Sequence, residues 1–168
     1  YLEECIKSVI SQKYPNIEYI LIDGGSSDGT LRIIKKYEEF ISFWTSKKDN
    51  GIYDALNRGI KKSNGDYIGF LHSDDLLCDE HVIEKIVRHF LKSSSHFVYS
   101  NLKIVNEHDI KKTIRYIKIP NFNLFKLRIG IMPPHPTIYY SKNIYSELQN
   151  YDTDFKISSD FDMILRIM

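Results

Sequence analysis

Residues 17–30 read IEYILIDGGSSDGT, and this stretch decides the fold class. Its first six residues form a short apolar run of strand-forming side chains, which is typical of a buried strand. The turn formers of residues 23–30 follow at once, so the pattern predicts a strand that runs directly into a loop. A second stretch, YIGFLHSDD at residues 67–75, repeats this arrangement. Two predicted buried strands therefore end in carboxylates, at Asp23 and at Asp74 and Asp75.

Segments with helical periodicity separate the predicted strands. Apolar residues recur at helical spacing in four segments, residues 2–10, 31–37, 55–60 and 82–91. Short strands are also predicted at residues 43–45 and 97–99. This alternation favours an α/β fold, with a Rossmann-like, mostly parallel sheet and helices on both faces. Ligands bind such sheets at the carboxyl ends of the strands, where the aspartates are predicted to lie.

The last third of the chain has a weaker pattern. A strand is predicted over residues 114–119 and another over residues 137–140. Ser158 or Ser159 is predicted to cap a final helix. We treat residues 1–168 as a single domain. Because the chain begins without Met and inside a helical pattern, we expect a fragment that is cut at both ends.

The composition argues against several classes of protein. The 168 residues include 23 Lys and Arg against 22 Asp and Glu, a formal charge of +1, whereas nucleic-acid binders usually show a basic excess. No apolar run approaches the roughly 18 residues that a membrane span needs, and the N-terminus does not resemble a signal peptide. Cys5 and Cys78 give neither a disulfide framework nor a metal-binding spacing. Without a glycosylation sequon either, we expect a cytoplasmic location.

Asp74 and Asp75 are the strongest candidates for a ligand site. Two adjacent carboxylates after a buried strand are costly to desolvate unless a positive charge compensates them. Mg²⁺ or Mn²⁺ favours oxygen ligands, and such ions typically take one or two carboxylates together with substrate phosphates. The alternative, equally open on spacing alone, is a polar loop in which one of the two aspartates caps the next helix.

Two earlier segments carry further candidates. Asp23 starts a loop whose two glycines would let a ligand approach the backbone, although the loop contains neither a dinucleotide fingerprint nor a P-loop lysine. The alternative is a simple turn in which Asp28 caps the next helix. Asp54 and Asn57 are three residues apart and share one face of a predicted helix, which turns either to a ligand or to water.

Asp160 and His135 complete the set of candidate residues. Asp160 is expected in the first turn of the final helix, where the helix dipole favours the ionised carboxylate that a general base requires. The alternative is that Asp160 only stabilises the N-terminus of this helix. His135 lies between prolines in the run PPHP at residues 133–136. It is a candidate third metal ligand or phosphate contact, or simply an exposed histidine.

Taken in this order, the segments resemble an inverting family 2 glycosyltransferase with a GT-A fold. The matching stretches are LEECIKSVISQKYPNIEYILIDGGSSDGT (residues 2–30), DNGIYDALNRGIKKSNGDYIGFLHSDD (residues 49–75) and SSDFDMILR (residues 158–166). The resemblance covers nearly the whole chain and is least secure over residues 101–134. It is greatest to the members that build bacterial surface polysaccharides.

The resemblance implies roles for the acidic residues in nucleotide-sugar binding. Asp23 matches the aspartate that contacts the nucleotide base. Asp74 and Asp75 match a DXD-type motif, in which the first residue touches the ribose and the second binds the metal on the diphosphate. Asp54 and Asn57 lie in the helix that matches the segment flanking the nucleotide and the donor sugar. We expect these carboxylates to converge on one pocket.

Asp160 matches the catalytic base of the family's Glu-Asp pair, and three departures from the family pattern accompany it. Ser159 replaces the glutamate of that pair. His72 stands where many members have a further aspartate. The family's first strand, which helps to bind the base, would precede Tyr1.

The implied activity is transfer of a sugar, with inversion, from a nucleotide-diphosphate sugar to a saccharide or lipid-linked acceptor, with Mg²⁺ or Mn²⁺. A UDP-sugar is the most frequent donor for such a site. A sugar nucleotidyltransferase and an inert glycosyltransferase-like binding module remain alternatives. Residues 111–131 are basic and aromatic, which predicts either peripheral contact with the inner face of a membrane or an acceptor-side loop packed on the sheet.

Overall fold

A computed structural model describes residues 1–93, 95–118, 122–148 and 150–168. Its helices are α1 (Leu2–Ile10), α2 (Thr30–Lys36), α3 (Ile52–Lys62), α4 (Val82–Lys92), α5 (Leu124–Arg128), α6 (Lys142–Leu148) and α7 (Ser159–Ile167). Its strands are β1 (Ile20–Asp23), β2 (Phe43–Ser46), β3 (Tyr67–Gly69), β4 (Phe97–Tyr99), β5 (Leu102–Asn106), β6 (Asp109–Ile117) and β7 (Ile138–Ser141). The predicted alternation of strands and helices through residue 100 is confirmed.

The strands pair in both directions. β1 runs parallel to β2, with Ile20 opposite Phe43 and Asp23 opposite Ser46. β3 and β4 both pair antiparallel with β7, which lies between them, so β3 and β4 run in the same direction. The α/β class is thus confirmed, and β7 is the strand that runs against its neighbours. It enters the sheet after the long excursion of residues 100–137 rather than after a helical crossover, which parallel neighbours require.

The main core lies between the β3–β7–β4 sheet and the helices α3, α5, α6 and α7. Ile138 and Tyr140 of β7 are fully buried and belong to one cluster with Met163 and Ile164 of α7. Leu127 of α5 joins the same cluster. Full burial of an aliphatic side chain contributes roughly 1.5–3 kcal/mol. This cluster therefore anchors α7, which carries Asp160, against the sheet.

Gly69 makes room for an aromatic ring inside this sheet. It lies opposite Tyr139 of β7. A Cβ atom at Gly69 would overlap the Tyr139 ring. The ring thus lies across β3, and burial raises the pKa of Tyr139 to about 12. The strand ends at Gly69, and the loop that follows it carries Asp74 and Asp75.

Residues 102–117 form a hairpin that stands apart from the other two sheets. The strand predicted over residues 114–119 is found as β6, and residues 119 and 120 lie outside the described part of the chain. Ile110, Ile114 and Tyr116 of β6 are all more than half exposed. Further along the basic, aromatic stretch, Leu127 is fully buried in the core cluster and Phe122 packs against it, as the alternative of a packed loop expected. Among the described residues, no helix is long and apolar enough to cross a membrane.

Candidate active site

A cavity of about 470 Å³ lies between β1 and the segment that follows β3. One wall consists of β1 and the loop after it, including Asp23 and Ser26. Leu71 and Ser73, which follow β3, and Cys5 of α1 also line the cavity. The cavity therefore borders the ends of both strands whose carboxylates the sequence singled out.

Asp23 braces the loop at this cavity. Its carboxylate accepts hydrogen bonds from the backbone N–H groups of Gly25 and Ser26 and from the hydroxyls of Ser26 and Ser46. Burial alone would raise the pKa of Asp23, but these hydrogen bonds hold it below its ordinary value. The carboxylate is ionised and ties the loop after β1 to β2. Its predicted contact with a nucleotide base remains a prediction.

Gly24 and Gly25 allow the loop after β1 to pack closely against the loop after β2, which contains Lys48 and Asp49. Gly25 has a φ of 91°, and a Cβ atom there would lie 3.1 Å from the backbone nitrogen of Lys48. A Cβ atom at Gly24 would meet the Asp49 carboxylate. Asp28 accepts a hydrogen bond from the N–H of Thr30, the first residue of α2, as the capping alternative expected. Close approach of a ligand to the glycines stays a prediction.

Asp74 and Asp75 do not cap the next helix. That helix, α4, begins at Val82, and the carboxylate that accepts a hydrogen bond just before it, from the N–H of His81, belongs to Asp79. The capping alternative for Asp74 and Asp75 is therefore wrong. Among the described residues, the backbone N–H of His72 interacts with the Asp75 carboxylate and acts against the rise in its pKa.

The charge of Asp75 is poorly compensated by protein. Burial raises the pKa of Asp75, the nearby His72 opposes this, and the Asp74 carboxylate adds to the rise. A half-buried carboxylate with a like charge beside it favours a cation. Among the described residues no three His, Cys, Asp or Glu side chains form a metal-binding group. The pair fits Mg²⁺ or Mn²⁺ that takes its remaining ligands from phosphates and water.

Helix α1 supports the loop that carries these aspartates. The Cys5 thiol donates a hydrogen bond to the carbonyl oxygen of His72 over 3.3 Å. Burial raises the pKa of this thiol to about 12, with further contributions from Asp75 and Asp74. Cys5 is therefore a protonated, structural residue.

His135 is packed among aromatic rings. Its imidazole stacks on Phe70 with ring centroids 5.7 Å apart and lies 5.9 Å from the His72 ring. Its Nε2 is 3.0 Å from the Tyr151 hydroxyl. Burial lowers the pKa of His135 to about 4, although the Asp160 carboxylate acts in the opposite direction. The alternative of a simply exposed histidine is wrong, and its role as a metal ligand stays a prediction.

Asp160 lies in the first turn of α7, as predicted. Ser158 occupies the predicted N-cap position, but its side chain makes no capping hydrogen bond and its φ of 72° is left-handed. Ser159, which stands in place of the family's glutamate, is fully buried. The Tyr53 hydroxyl of α3 donates a hydrogen bond to Oδ1 of Asp160 over 3.2 Å.

Asp54 and Asn57 have separate protein partners. The Asp54 carboxylate accepts hydrogen bonds from the N–H of Asn50 and from Arg58, 2.8 Å away. The Asn57 amide turns inward and bonds both backbone groups of Tyr151. The sequence left open whether the helix face of Asp54 and Asn57 turns to a ligand or to water. In the structure, the Asn57 side chain instead contacts the backbone of Tyr151. Their contacts with a donor sugar remain predictions.

The contacts connect carboxylates from distant parts of the sequence. Asp75 lies near His72, whose ring adjoins that of His135, and His135 in turn lies near Asp160. Asp23 and Ser73, the residue before Asp74, border the same cavity. Sequence reasoning missed Tyr53, although it precedes Asn57 by one helical turn and so shares its helix face.

Known proteins resemble this chain over nearly all its length. Residues 1–154 match the model of the family described as glycosyl transferase family 2. An uncharacterized glycosyltransferase of Mycobacterium tuberculosis is 31% identical over 170 residues, which cover 98% of this chain and 63% of that protein. A PGL/p-HBAD biosynthesis glycosyltransferase of Mycobacterium bovis is 25% identical, with 98% and 63% covered. The chain thus spans less than two thirds of the length of these relatives.

Solved structures share the fold at low sequence identity. Staphylococcus aureus TarS, residues 1–349, has a TM-score of 0.78 at 19% identity, with 99% of this chain and 51% of that chain covered. The mannosyltransferase PcManGT from Pyrobaculum calidifontis, in complex with GDP-Man and Mn²⁺, has a TM-score of 0.73 at 16% identity, with 99% and 47% covered. The chain therefore belongs to glycosyl transferase family 2 and has the GT-A fold.

Proposed function

We propose that this protein transfers a sugar, with inversion, from a nucleoside-diphosphate sugar to a saccharide or lipid-linked acceptor. Membership of the family supports the reaction class. One observation carries the proposal: Asp75 lies near His72, whose ring adjoins that of His135, and His135 lies near Asp160. The cavity bordered by Asp23 also borders Leu71 and Ser73, the two neighbours of His72 in the chain. The proposed catalytic unit is the single GT-A domain of residues 1–168.

The proposed reaction is a single displacement at the anomeric carbon. Asp160 accepts the proton of the acceptor hydroxyl while that oxygen forms its bond to the anomeric carbon. The bond from that carbon to the diphosphate oxygen breaks, and the nucleoside diphosphate leaves with the electron pair. One attack from the opposite face inverts the configuration. General-base assistance of this kind contributes typically 10²–10⁴-fold to the rate.

We propose that Asp75, with Asp74 beside it, holds the divalent cation. When bound, Mg²⁺ or Mn²⁺ supplies neutralising charge for the leaving diphosphate. His135 is retained as a proposed additional ligand, because its pKa of about 4 leaves the imidazole neutral. Asp74 would also contact the ribose.

We propose a UDP-sugar as the donor. TarS has been solved in complex with UDP and with UDP-GlcNAc, and PcManGT with GDP-Man, so structures of this fold accept nucleotide sugars. The cavity beside Asp23 is the proposed site for the base. Asp54 and Asn57 are retained as proposed residues of the nucleotide-sugar site.

Two substitutions separate donor binding from transfer. Asp75→Asn is expected to weaken Mn²⁺-dependent binding of UDP-sugars by at least 10-fold in calorimetry, because the cation loses a charged ligand. Asp160→Asn is expected to leave that binding within about threefold and to lower transfer by about 10²–10⁴-fold. Asp66→Asn, an exposed aspartate just before β3, is the control and should change neither quantity.

The products decide among the remaining alternatives. Release of a nucleoside diphosphate supports the proposal, whereas release of pyrophosphate indicates a sugar nucleotidyltransferase. Absence of metal-linked nucleotide-sugar binding indicates an inert binding module. Full transfer activity in Asp160→Asn would refute the role of Asp160 as the base.

We propose that the protein acts in the cytoplasm, in envelope polysaccharide synthesis, with peripheral contact to the inner face of the membrane. Residues 102–131 contain seven Lys and Arg against two Asp and Glu, and Ile114 and Phe125 are 63% and 70% exposed there. Basic and apolar side chains together favour an anionic bilayer. Sedimentation with anionic vesicles should weaken when Lys118, Lys126 and Arg128 are changed to Gln. Gln at Lys35, Lys61 and Lys92 is the control.

A further inference from the structure

The carboxylate of Asp160 is held by a side chain from another helix. The Tyr53 hydroxyl of α3 donates to Oδ1 over 3.2 Å, and the residues described here supply no other side-chain hydrogen bond to this carboxylate. Oδ2 can therefore accept a hydrogen bond from a bound acceptor hydroxyl. A carboxylate restrained at one oxygen and free at the other suits the acceptance of a proton from a bound hydroxyl.

The Tyr53 hydroxyl also lies at the N-terminus of α7, which has no side-chain cap from Ser158. The first N–H groups of a helix have no partner within it, and the Ser158 side chain makes no capping bond to α7. Burial and the Asp160 carboxylate raise the pKa of Tyr53, whereas the N–H groups of Ser159 and Asp160 act in the opposite direction. The hydroxyl thus lies between the N-terminal N–H groups of α7 and the carboxylate that this turn carries.

The Tyr53 ring is held in place by Tyr151, and Asn57 of the same helix holds Tyr151. It stacks on Tyr151 with ring centroids 5.7 Å apart and an angle of 24° between the planes. One helical turn later, the Asn57 amide donates to the carbonyl oxygen of Tyr151 over 2.8 Å and accepts from its N–H over 2.9 Å. The same face of α3 therefore holds both the ring and the segment on which the ring stacks.

We propose that Tyr53 is a positioning residue for Asp160. Its hydroxyl orients the carboxylate so that Oδ2 meets the acceptor hydroxyl, and its stacked ring prevents the hydroxyl from moving away. This inference rests on the proposed function, because it assigns Tyr53 a part in the same transfer reaction. A misplacement of about 1 Å in a reacting group can cost 10²-fold in rate.

Kinetics of Tyr53→Phe test the positioning role, because this change removes the hydroxyl and keeps the ring. The expected result is a kcat lower by about 10- to 100-fold with a donor KM within twofold of wild type. A wild-type kcat, or a loss confined to the donor KM, would overturn the inference.

Tyr37→Phe is the matched control for this experiment. The Tyr37 hydroxyl also donates to a carboxylate, that of Glu3, over 2.7 Å, but it lies at the end of α2. This variant should retain the wild-type kcat and donor KM. Equal losses in Tyr37→Phe and Tyr53→Phe would overturn the inference, because they would show a general effect of lost hydroxyls.

A second measurement needs no substrate. Tyrosines labelled with ¹³C at Cζ are titrated by NMR, and the Tyr53 signal is identified by its loss in Tyr53→Phe. The groups facing this phenol are Asp160 on α7 and the stacked Tyr151, with His135 behind them. In Asp160→Asn the phenol should titrate at lower pH than in wild type, because a like charge is removed.

Failure of the Tyr53 inference can be distinguished from failure of the proposed function. An unchanged Tyr53 titration midpoint in Asp160→Asn would overturn the inference, whatever the activity of the protein. A wild-type protein that transfers no sugar, but in which the two residues remain coupled by titration, would refute the proposed function and leave the contact established.

Discussion

Replacement of Asn57 by Ala should destabilise the fold rather than only weaken ligand binding. The Asn57 amide satisfies both the N–H and the C=O of Tyr151, a residue that is 3% exposed. A net hydrogen bond contributes about 0.5–1.5 kcal/mol, and each buried group left unpaired costs about 1–3 kcal/mol. With some relief from water entering the vacated space, we expect the free energy of unfolding to fall by about 2–4 kcal/mol.

Urea unfolding followed by circular dichroism measures this change. For a chain of this size, a loss of 2–4 kcal/mol corresponds to a Tm lower by roughly 4–16 °C. Asn16→Ala is the control, because Asn16 is exposed and its removal should change stability by less than about 0.5 kcal/mol. If Asn57→Ala keeps wild-type stability and loses only donor binding, Asn57 contacts the ligand directly and the structural role argued from its hydrogen bonds is refuted.

Three further predictions concern stability in the sheet, at α7 and at β1, and each uses the same unfolding assay. Gly69→Ala should lose about 1–3 kcal/mol, because its Cβ would overlap the Tyr139 ring; an unchanged midpoint would contradict this. Ser158→Gly should gain up to about 1 kcal/mol, since glycine adopts the positive φ without steric penalty, and a loss would argue against that backbone conformation. The folded-state pKa of Asp23 is lowered, so its contribution is present above its ordinary value of 3.8 and is lost as pH falls through the folded-state pKa. The stability difference between wild type and Asp23→Asn should therefore be largest near pH 7 and shrink below about pH 4, and a difference independent of pH would count against it.

The elements through residue 100 could be predicted because their signals are local. The strand at residues 20–23 and the helix at residues 82–92 follow from apolar periodicity, and glycine-rich or acidic turns mark where the strands end. The positions of Asp23 at the end of β1 and of Asp160 in the first turn of α7 follow from the same reasoning. Family membership, which long motifs indicated, is confirmed by the match over residues 1–154.

Other features depended on contacts between distant segments. The antiparallel direction of β7 has no signature in its own four residues, because pairing direction depends on where the chain re-enters the sheet. The burial of His135 depends on Phe70 and Tyr151, which lie far from it in sequence. Helical periodicity placed Asn57 on a face but did not show that Tyr151 covers that face.

By itself, the sequence determined the α/β class, the position of Asp23 at the end of its strand and the family, since each depends on the order and spacing of nearby residues. Only the tertiary structure decided which side chains meet. It paired Tyr53 with Asp160, placed the Asn57 amide on the backbone of Tyr151 and half-buried the Asp75 carboxylate close to that of Asp74. The physical reason is that hydrogen bonding and desolvation act between groups brought close in space, and such neighbours are separated here by as many as 107 positions in the chain.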